Sequence, residues 1–244
     1  MTQSLAFGVL IIGDEILSGR RTDKHLTRSI EILNDTGHSL SWAYYCGDDL
    51  NQLTDQFKRI FSQSDICFSF GGIGATVDDV TRQAIAAALG KPLIRHQQAV
   101  EMIERQFAEQ AYPNRILMAD LPEEAHLIPN PYNNIPGFSI KNVFCLPGFP
   151  VMAWPMMEWV LEKSFKLTVK NATVLKTLKL QAVHESDIIV ILNEVQLQNP
   201  DTKVSSLPSF SKNGSSTIEI GVEGLPDAAD KAMDELSTKL AQYL

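Results

Sequence analysis

Three short apolar runs in the first 90 residues are each followed by a polar loop and then by apolar residues at helical spacing. The runs, 5–12, 39–46 and 65–70, have the length of strands, and glycines at positions 37 and 90 end the first and third helices. Each helix returns the chain to the same end of a sheet, because parallel strands need a crossover connection. The alternation therefore predicts an α/β fold in which a mostly parallel sheet carries helices on both faces.

The pattern becomes less regular after the third unit. A helix is predicted over 97–112, and the Pro-rich stretch 122–136 favours loops with short strands. The segment FSIKNVFCLP reads as a strand that ends at the prolines of 147–150. A helix is then expected over 151–165, where Pro155 is tolerable only in the first turn.

A different order of elements follows and predicts a second domain. Its expected elements are a strand over 173–182, a helix over 186–195, strands over 204–210 and 217–222, and a helix after Pro226. Two strands in succession break the alternation, so we predict an α/β domain over 1–168 and a small α+β domain over 169–244.

Charge and apolar patterning exclude some classes of protein. The chain has 21 Lys and Arg against 29 Asp and Glu, a net charge of −8, which argues against a general nucleic-acid binder. Its longest apolar run, of about eight residues, is far short of the ~20 that cross a bilayer. The first residues lack a basic segment, so we expect a cytoplasmic protein with neither signal peptide nor membrane anchor. The three Cys are widely spaced in apolar runs and are expected to be reduced core thiols.

Two loops are placed where ligands bind in open parallel sheets, at the carboxyl ends of strands. The first, 13–20, is GDEILSGR, whose glycines make turns and whose carboxylates are either functional or simply solvated. The second, 71–76, is GGIGAT and opens a helix expected from Asp78 to Leu89. Its glycines allow close backbone approach, and the helix N-terminus offers unpaired N–H groups, so an anion site is predicted. It matches neither a Walker A loop nor the dinucleotide fingerprint.

Asp78 and Asp79 follow the second loop. Thr76 as N-cap with Asp79 three residues later resembles a capping box, but capping does not explain two carboxylates beside an anion loop. Mg²⁺ held by one or two carboxylates and by ligand phosphate oxygens would remove the repulsion. Asp48 and Asp49, after the second strand, either join this acidic cluster or cap a helix. Neither a zinc-type His/Cys spacing nor a G-x-S-x-G nucleophile motif is present in the sequence.

Three motifs, GDEILSG, GGIGATVDDVTR and LPGFP, occur in this order over residues 5–167. Together they resemble the molybdopterin-binding domain shared by molybdenum-cofactor biosynthesis (MoCF) proteins and CinA-type competence/damage-inducible proteins. The remainder is similar to the small KH-like domain of CinA-type proteins. The resemblance implies a three-layer α/β/α fold and a homo-oligomer, dimeric or trimeric. We expect this chain to lack the C-terminal amidohydrolase module of that family. Ala75 stands where CinA-type loops commonly have Pro.

The resemblance also implies a ligand, a small phosphorylated pterin or nucleotide. CinA-like members suggest a hydrolase, a divalent-metal-dependent ADP-ribose pyrophosphatase using Mg²⁺. The alternatives are a molybdopterin-binding protein of cofactor biosynthesis and a regulatory module without turnover. RNA binding is not expected, because the chain is acidic.

The resemblance assigns roles residue by residue. The expected catalytic residues are Asp14, Glu15, Asp78 and Asp79, of which Asp78 and Asp79 hold the metal. The expected ligand- and phosphate-binding residues are Gly13, Ser18, Gly19, Gly71, Gly72, Gly74, Thr76, Thr81 and Gly148.

Overall fold

The computed structural model describes residues 5–167, 173–210 and 216–243. Contacts divide the chain into two compact units, one of Met1–Leu33 and His38–Thr168 and one of Asn34–Gly37 and Val169–Leu244. The predicted boundary between 168 and 169 lies outside the described residues.

The first unit contains eight strands and six α-helices among its described residues. The strands are β1 (Phe7–Ile12), β2 (Leu40–Cys46), β3 (Ile66–Phe70), β4 (Leu93–Arg95), β5 (Asp120–Pro122), β6 (His126–Ile128), β7 (Gly137–Ile140) and β8 (Val143–Leu146). The helices are α1 (Asp14–Leu17), α2 (His25–Asp35), α3 (Leu50–Phe61), α4 (Thr81–Leu89), α5 (Gln97–Phe107) and α6 (Pro150–Phe165).

Six of these strands form one sheet in the order β2-β1-β3-β8-β7-β6. The four strands β2, β1, β3 and β8 are parallel, whereas β7 and β6 are antiparallel additions at one side. Side chains of β1 alternate between two apolar cores: Val9 and Ile11 pack with α2 and α6, whereas Leu10 and Ile12 pack with α3 and α4. The predicted three-layer fold with a mostly parallel sheet is confirmed.

The structure corrects the sequence-based elements in the middle of the first unit. The segment read as one strand before Pro147 is the β7–β8 hairpin, which turns at Lys141 (φ 50°). Asn142 in this turn donates to the carbonyl oxygens of Gln63 (3.3 Å) and Asp65 (2.6 Å), which anchors the turn to the chain entering β3. Strands β4 and β5 pair as a separate two-stranded ribbon that the sequence pattern did not predict.

Two helix predictions also change. The helix expected over 97–112 ends at Phe107 and continues as a 3₁₀ turn over Ala108–Ala111. Pro155 lies inside α6, beyond the first turn where it was expected. Pro155 has no N–H, so the helical hydrogen bond to the carbonyl oxygen of Val151 is missing. Val151 is 53% exposed, so water can donate to this carbonyl instead.

The second unit contains three strands and two α-helices among its described residues. They are β9 (Val174–Gln181), α7 (Glu185–Gln198), β10 (Thr202–Phe210), β11 (Ser216–Gly224) and α8 (Pro226–Lys239). The strands form an antiparallel sheet in the order β10-β11-β9. Ile220 of the sheet packs with Ile188 of α7 and Leu236 of α8, which gives the predicted α+β architecture its own core.

None of the helices in the described part of the chain is long and apolar enough to cross a membrane.

Candidate functional site

The loops that follow β1, β2, β3 and β8 lie together, because these four strands are parallel neighbours. We call this side of the sheet the carboxyl edge. The Gly13 N–H donates to the Cys46 carbonyl oxygen at 3.0 Å, and the Gly71 N–H donates to the Leu146 carbonyl oxygen at 3.0 Å. A Cβ on Gly148 would lie 3.5 Å from the Cα of Gly71. The structure therefore brings the three sequence motifs to one place.

The GGIGAT loop, residues 71–76, needs its first two glycines for its own backbone path. Gly71 has φ +104°, and a Cβ there would collide with the carbonyl oxygen of Ile12. Gly72 has φ +67°, and its Cβ would collide with the Thr81 side chain. These glycines thus permit the close approach of β1, β3 and α4 in addition to any approach of a ligand.

Thr81 and Arg82 fix the position of the loop through hydrogen bonds to its carbonyl oxygens. The buried Thr81 hydroxyl donates to the Gly71 carbonyl oxygen at 3.1 Å, and the Thr81 N–H donates to the Gly72 carbonyl oxygen at 3.0 Å. Arg82, 4% exposed, donates through Nη2 to the Gly74 carbonyl oxygen. Because Thr81 has no exposed surface, it supports the loop and does not itself contact a ligand.

The loop presents a run of unpaired backbone donors. Four consecutive N–H groups, from Gly72 to Ala75, donate to no acceptor in the described chain. These four residues are all partly exposed. Successive unpaired N–H groups form the concavities that bind anions in proteins, so this loop has the chemistry of a phosphate site.

The helix predicted to begin at Asp78 begins at Thr81 instead, with Val80 as its N-cap. The Asp79 carboxylate accepts from the Thr76 N–H at 2.8 Å and from the Thr76 hydroxyl. The expected Thr76–Asp79 interaction therefore exists, but it closes a separate turn and caps no helix. The capping interpretation of Thr76 is wrong for this reason, and Asp79 fastens the loop while Asp78 is exposed.

The carboxylates of Asp14 and Asp48 each accept a hydrogen bond from the backbone N–H of the other residue. The Asp14 N–H donates to Oδ2 of Asp48 at 2.9 Å, and the Asp48 N–H donates to Oδ1 of Asp14 at 3.3 Å. Burial raises the pKa of Asp48, and the nearby negative charges of Asp14, Glu15 and Asp78 raise it further. Asp48 thus joins the acidic cluster, whereas Asp49 caps α3 by accepting from the Gln52 N–H at 2.8 Å.

The carboxylates do not form a complete metal site by themselves. No group of three His, Cys, Asp or Glu side chains that could hold a metal ion occurs within 5–167, 173–210 and 216–243. Asp14 and Asp48 each have one carboxylate oxygen outside their mutual hydrogen bonds. A divalent cation here would therefore need phosphate oxygens of a bound ligand to complete its coordination, which is the usual manner for Mg²⁺.

A cavity of about 340 Å³ opens beside these loops, on the α2 and α6 side of the sheet. We call it the His25 cavity. Its lining includes Arg21, Lys24, His25, Phe70 and Gly148. The sequence pattern indicated no role for the first four of these residues. The available signal was a local concentration of positive charge at residues 20–24 of an acidic chain, after the first loop.

Ser18 and Gly19 lie at the exposed end of the first loop. The Ser18 hydroxyl accepts from Nε of Arg20 at 3.2 Å, and Gly19 makes a turn with φ +72°. Neither residue lines the His25 cavity. Glu15 belongs both to the acidic cluster and to the cavity lining, so it connects the two halves of the site.

Comparison with known proteins identifies the chain's relatives. Residues 8–166 match the sequence model of the probable molybdopterin binding domain. The chain belongs to this family. The predicted resemblance carried by the three motifs is thus confirmed, and the chain is similar to CinA-like proteins.

Individual relatives agree with this assignment. A protein of Pyrobaculum calidifontis is 27% identical over 247 residues, covering 97% of this chain and 94% of the relative. A CinA-like protein of Anaeromyxobacter sp. strain Fw109-5 is 33% identical over 186 residues, covering 73% of this chain but 45% of the relative. The chain therefore matches less than half of the length of this CinA-like relative.

CinA from Thermoplasma acidophilum is among the solved structures with a similar fold. The crystal structure of CinA from Thermoplasma acidophilum, a protein described as having unknown function, superposes with a TM-score of 0.59 at 28% identity. The match covers 64% of this chain and 97% of the other.

Proposed function

We propose that this molybdopterin-binding-domain protein binds a phosphorylated nucleotide or pterin at the GGIGAT loop and hydrolyses an ADP-ribose-type diphosphate. The observation that carries the proposal is the run of four unpaired N–H groups from Gly72 to Ala75 at the carboxyl edge. Such donors bind phosphate oxygens, and the acidic cluster lies next to them. The name of the family supports a small pterin or a related compound as the ligand.

Hydrolysis would join a water oxygen to one phosphorus and break the bond between that phosphorus and the bridging oxygen. ADP-ribose would give AMP and ribose 5-phosphate, with the protons of the water shared between the products and the solvent. The loop N–H groups would hold the phosphate oxygens and stabilise the charge that develops on them. The metal expected at Asp78 and Asp79 is placed in this proposal at Asp14 and Asp48, because each of these has a free carboxylate oxygen whereas Asp79 accepts from Thr76. Mg²⁺ held there and by the ligand would withdraw charge from the phosphate and orient the water.

The acidic cluster has a second part in this proposal. Burial raises the pKa of Asp48, and the repulsion of three nearby carboxylates raises it further. Bound Mg²⁺ would relieve that repulsion, so cation binding would favour the ionised form of Asp48. Asp78, which is exposed at the rim, would face the same cation or the attacking water.

The alternative function is binding of molybdopterin for cofactor biosynthesis. The description of the matching family favours it, and the same loop would hold the pterin's phosphate. In that case the acidic cluster would meet a metal or a nucleotide without diphosphate hydrolysis.

The test is AMP release from ADP-ribose by the purified chain, with Mg²⁺ and then with a chelator. We expect Mg²⁺-dependent release that falls by at least about 100-fold in Asp48→Asn, because a lost metal contact removes several kcal/mol of transition-state stabilisation. Asp49→Asn is the matched control, since Asn also caps helices and Asp49 only caps α3.

Absence of release under both conditions would refute the hydrolase proposal. Calorimetric titration with molybdopterin would then distinguish the cofactor-biosynthesis function from a regulatory module that binds without turnover. Equal release by Asp48→Asn and the wild type would refute the role of the acidic cluster.

A further inference from the structure

One hydrogen bond of His25 has no role in the chemistry described so far. Its Nε2 lies 3.1 Å from the carbonyl oxygen of Gly148, so it joins the start of α2 to the LPGFP motif. We propose that His25 is a positioning residue of the phosphate site: this hydrogen bond turns the N–H of Phe149 towards the GGIGAT loop, where it is a further donor to a bound phosphoryl group. The inference rests on the proposed phosphate site at the loop and adds to it a residue outside the three motifs.

The imidazole of His25 is the donor of this hydrogen bond. Burial lowers the pKa of His25, which is 5% exposed, so the ring is neutral and carries a single N–H. A carbonyl oxygen only accepts hydrogen bonds, so the proton is on Nε2. Nδ1 is then an acceptor, and it has no partner in the part of the chain that the structure describes.

The unpartnered Nδ1 indicates that packing alone does not account for a histidine at this position. A buried acceptor without a partner lowers stability. The imidazole stacks on Phe70 with ring centroids 4.5 Å apart, and a phenyl ring could make a similar contact without an unpartnered nitrogen. A phenyl ring could not donate to the Gly148 carbonyl, so this hydrogen bond distinguishes His25 from an apolar side chain of similar shape.

The position of the imidazole is fixed by its neighbours. The carboxylate of Asp23 accepts from the backbone N–H of His25 at 2.7 Å and from the Tyr45 hydroxyl at 2.8 Å, which joins the start of α2 to the end of β2. Trp154 of α6 packs edge-on against the imidazole, with ring centroids 6.5 Å apart. A side chain fixed in this way can hold its hydrogen-bond partner in one orientation.

The hydrogen bond sets the direction of the next backbone N–H. The Gly148 carbonyl and the Phe149 N–H belong to one trans peptide group, so they point in opposite directions. The carbonyl points towards His25 and therefore towards the side of the sheet that α2 and α6 cover. The Phe149 N–H is directed to the other side, and it donates to no acceptor among the described residues.

The GGIGAT loop lies on that other side of the sheet. Ile73 of the loop belongs to the apolar core on the α3 and α4 side. A Cβ on Gly148 would lie 3.5 Å from the Cα of Gly71, so the two loops are in contact. The Phe149 N–H is thus next to the unpaired donors of the loop and can bind the same phosphoryl group. Phe149 is also the N-cap of α6, a helix of 16 residues, whose dipole favours an anion there.

The experiment uses inorganic pyrophosphate as a probe of the full chain at low ionic strength, since salt screens exposed charges. Calorimetry gives the affinity, and NMR gives the amide signals of Phe149, Gly72 and Gly74. We expect saturating pyrophosphate to shift all three amide signals. In His25→Phe, which keeps an aromatic ring but removes the donor, the affinity should fall by at least about tenfold, because a hydrogen bond to a charged group contributes that factor or more.

Two further variants separate positioning from a merely structural role. His25→Gln restores a donor for the Gly148 carbonyl and should recover most of the affinity that His25→Phe loses. Ser29→Ala is the matched control, because Ser29 is buried one turn further along α2 and its hydroxyl has no partner among the described residues. This change should alter the affinity by less than about twofold.

An unshifted Phe149 amide at saturating pyrophosphate, with shifted Gly72 and Gly74 amides, would overturn the proposal and leave the phosphate site standing. This measurement needs only the wild type, so it decides the matter even if His25→Phe does not fold. A folded His25→Phe variant that binds as the wild type does, or equal losses in His25→Phe and His25→Gln, would also overturn it. Failure of the wild type to bind pyrophosphate would refute the phosphate site itself and the role of His25 with it.

Discussion

Replacing Arg82 by Met tests whether one buried guanidinium holds the GGIGAT loop in place. Arg82 lies at the start of α4 and is 4% exposed. Nη2 donates to the Gly74 carbonyl oxygen, and Nη1 donates to the carbonyl oxygens of Leu117 and, at 3.2 Å, Asp120. The side chain thus joins the loop to the segment that leads into β5.

The expected cost follows from these bonds. Burial lowers the pKa of Arg82, while the negative charges of Asp79 and Asp120 raise it, so the guanidinium enters the folded state at a desolvation cost that neighbouring groups partly offset. Each hydrogen bond to a charged group contributes about 1.5–3 kcal/mol. Met removes three such bonds, but it buries no charge and leaves no Nε without a partner. We expect the free energy of unfolding of the first unit to fall by about 3 kcal/mol.

Urea denaturation followed by tryptophan fluorescence is a suitable assay. All three tryptophans of the chain, Trp42, Trp154 and Trp159, belong to the first unit, so their emission reports on that unit. The control is Arg95→Met, because Arg95 pairs with the Asp120 carboxylate at the surface and should cost less than about 1 kcal/mol. The reasoning is refuted if Arg82→Met costs less than about 1 kcal/mol or no more than the control.

The Arg82 variant should also affect the phosphate site. Loss of the bond to the Gly74 carbonyl frees the peptide that precedes Ala75, whose N–H is one of the unpaired donors. Pyrophosphate affinity should therefore decrease in Arg82→Met and remain unchanged in Arg95→Met. This separates support of the loop from a general loss of stability.

The parallel part of the sheet could be predicted because its strands are buried on both faces. Strands β1 and β3 are entirely buried, so they read as continuous apolar runs that no other element explains as well. The β7–β8 hairpin escaped prediction because Lys141 and Asn142 interrupt an apolar run without a glycine or proline. Lys141 takes a positive φ, which propensities assign to Gly or Asn, and a tertiary contact of Asn142 compensates.

The candidate site also has features that the sequence predicted and features that only the structure revealed. Motif spacing placed Asp14 and Gly71 at one edge, because parallel strands bring their carboxyl ends together, and the family resemblance added Gly148. It did not distinguish the roles of Asp78 and Asp79, since two adjacent carboxylates look alike until a turn directs one of them to Thr76. Unpaired N–H groups and cavities depend on backbone path and packing, so the free donors of the GGIGAT loop and the His25 cavity required the structure.

Two further predictions concern stability. Gly71→Ala should lower the free energy of unfolding of the first unit by about 2 kcal/mol or more, because Ala is strained at a positive φ and its Cβ would collide with the Ile12 carbonyl oxygen. Gly19→Ala should cost less, because Gly19 also has a positive φ, +72°, but has open space around it. Equal urea midpoints of the two variants would contradict this. His25 has a lowered pKa, chiefly through burial, so the unfolded chain binds its proton more tightly than the folded chain does. Stability should therefore be complete above about pH 6.5 and decline below it, towards the folded pKa. His25→Gln, whose amide can still donate to the Gly148 carbonyl, should lose that part of the decline in urea titrations at several pH values; an identical pH profile would show that His25 is not its source.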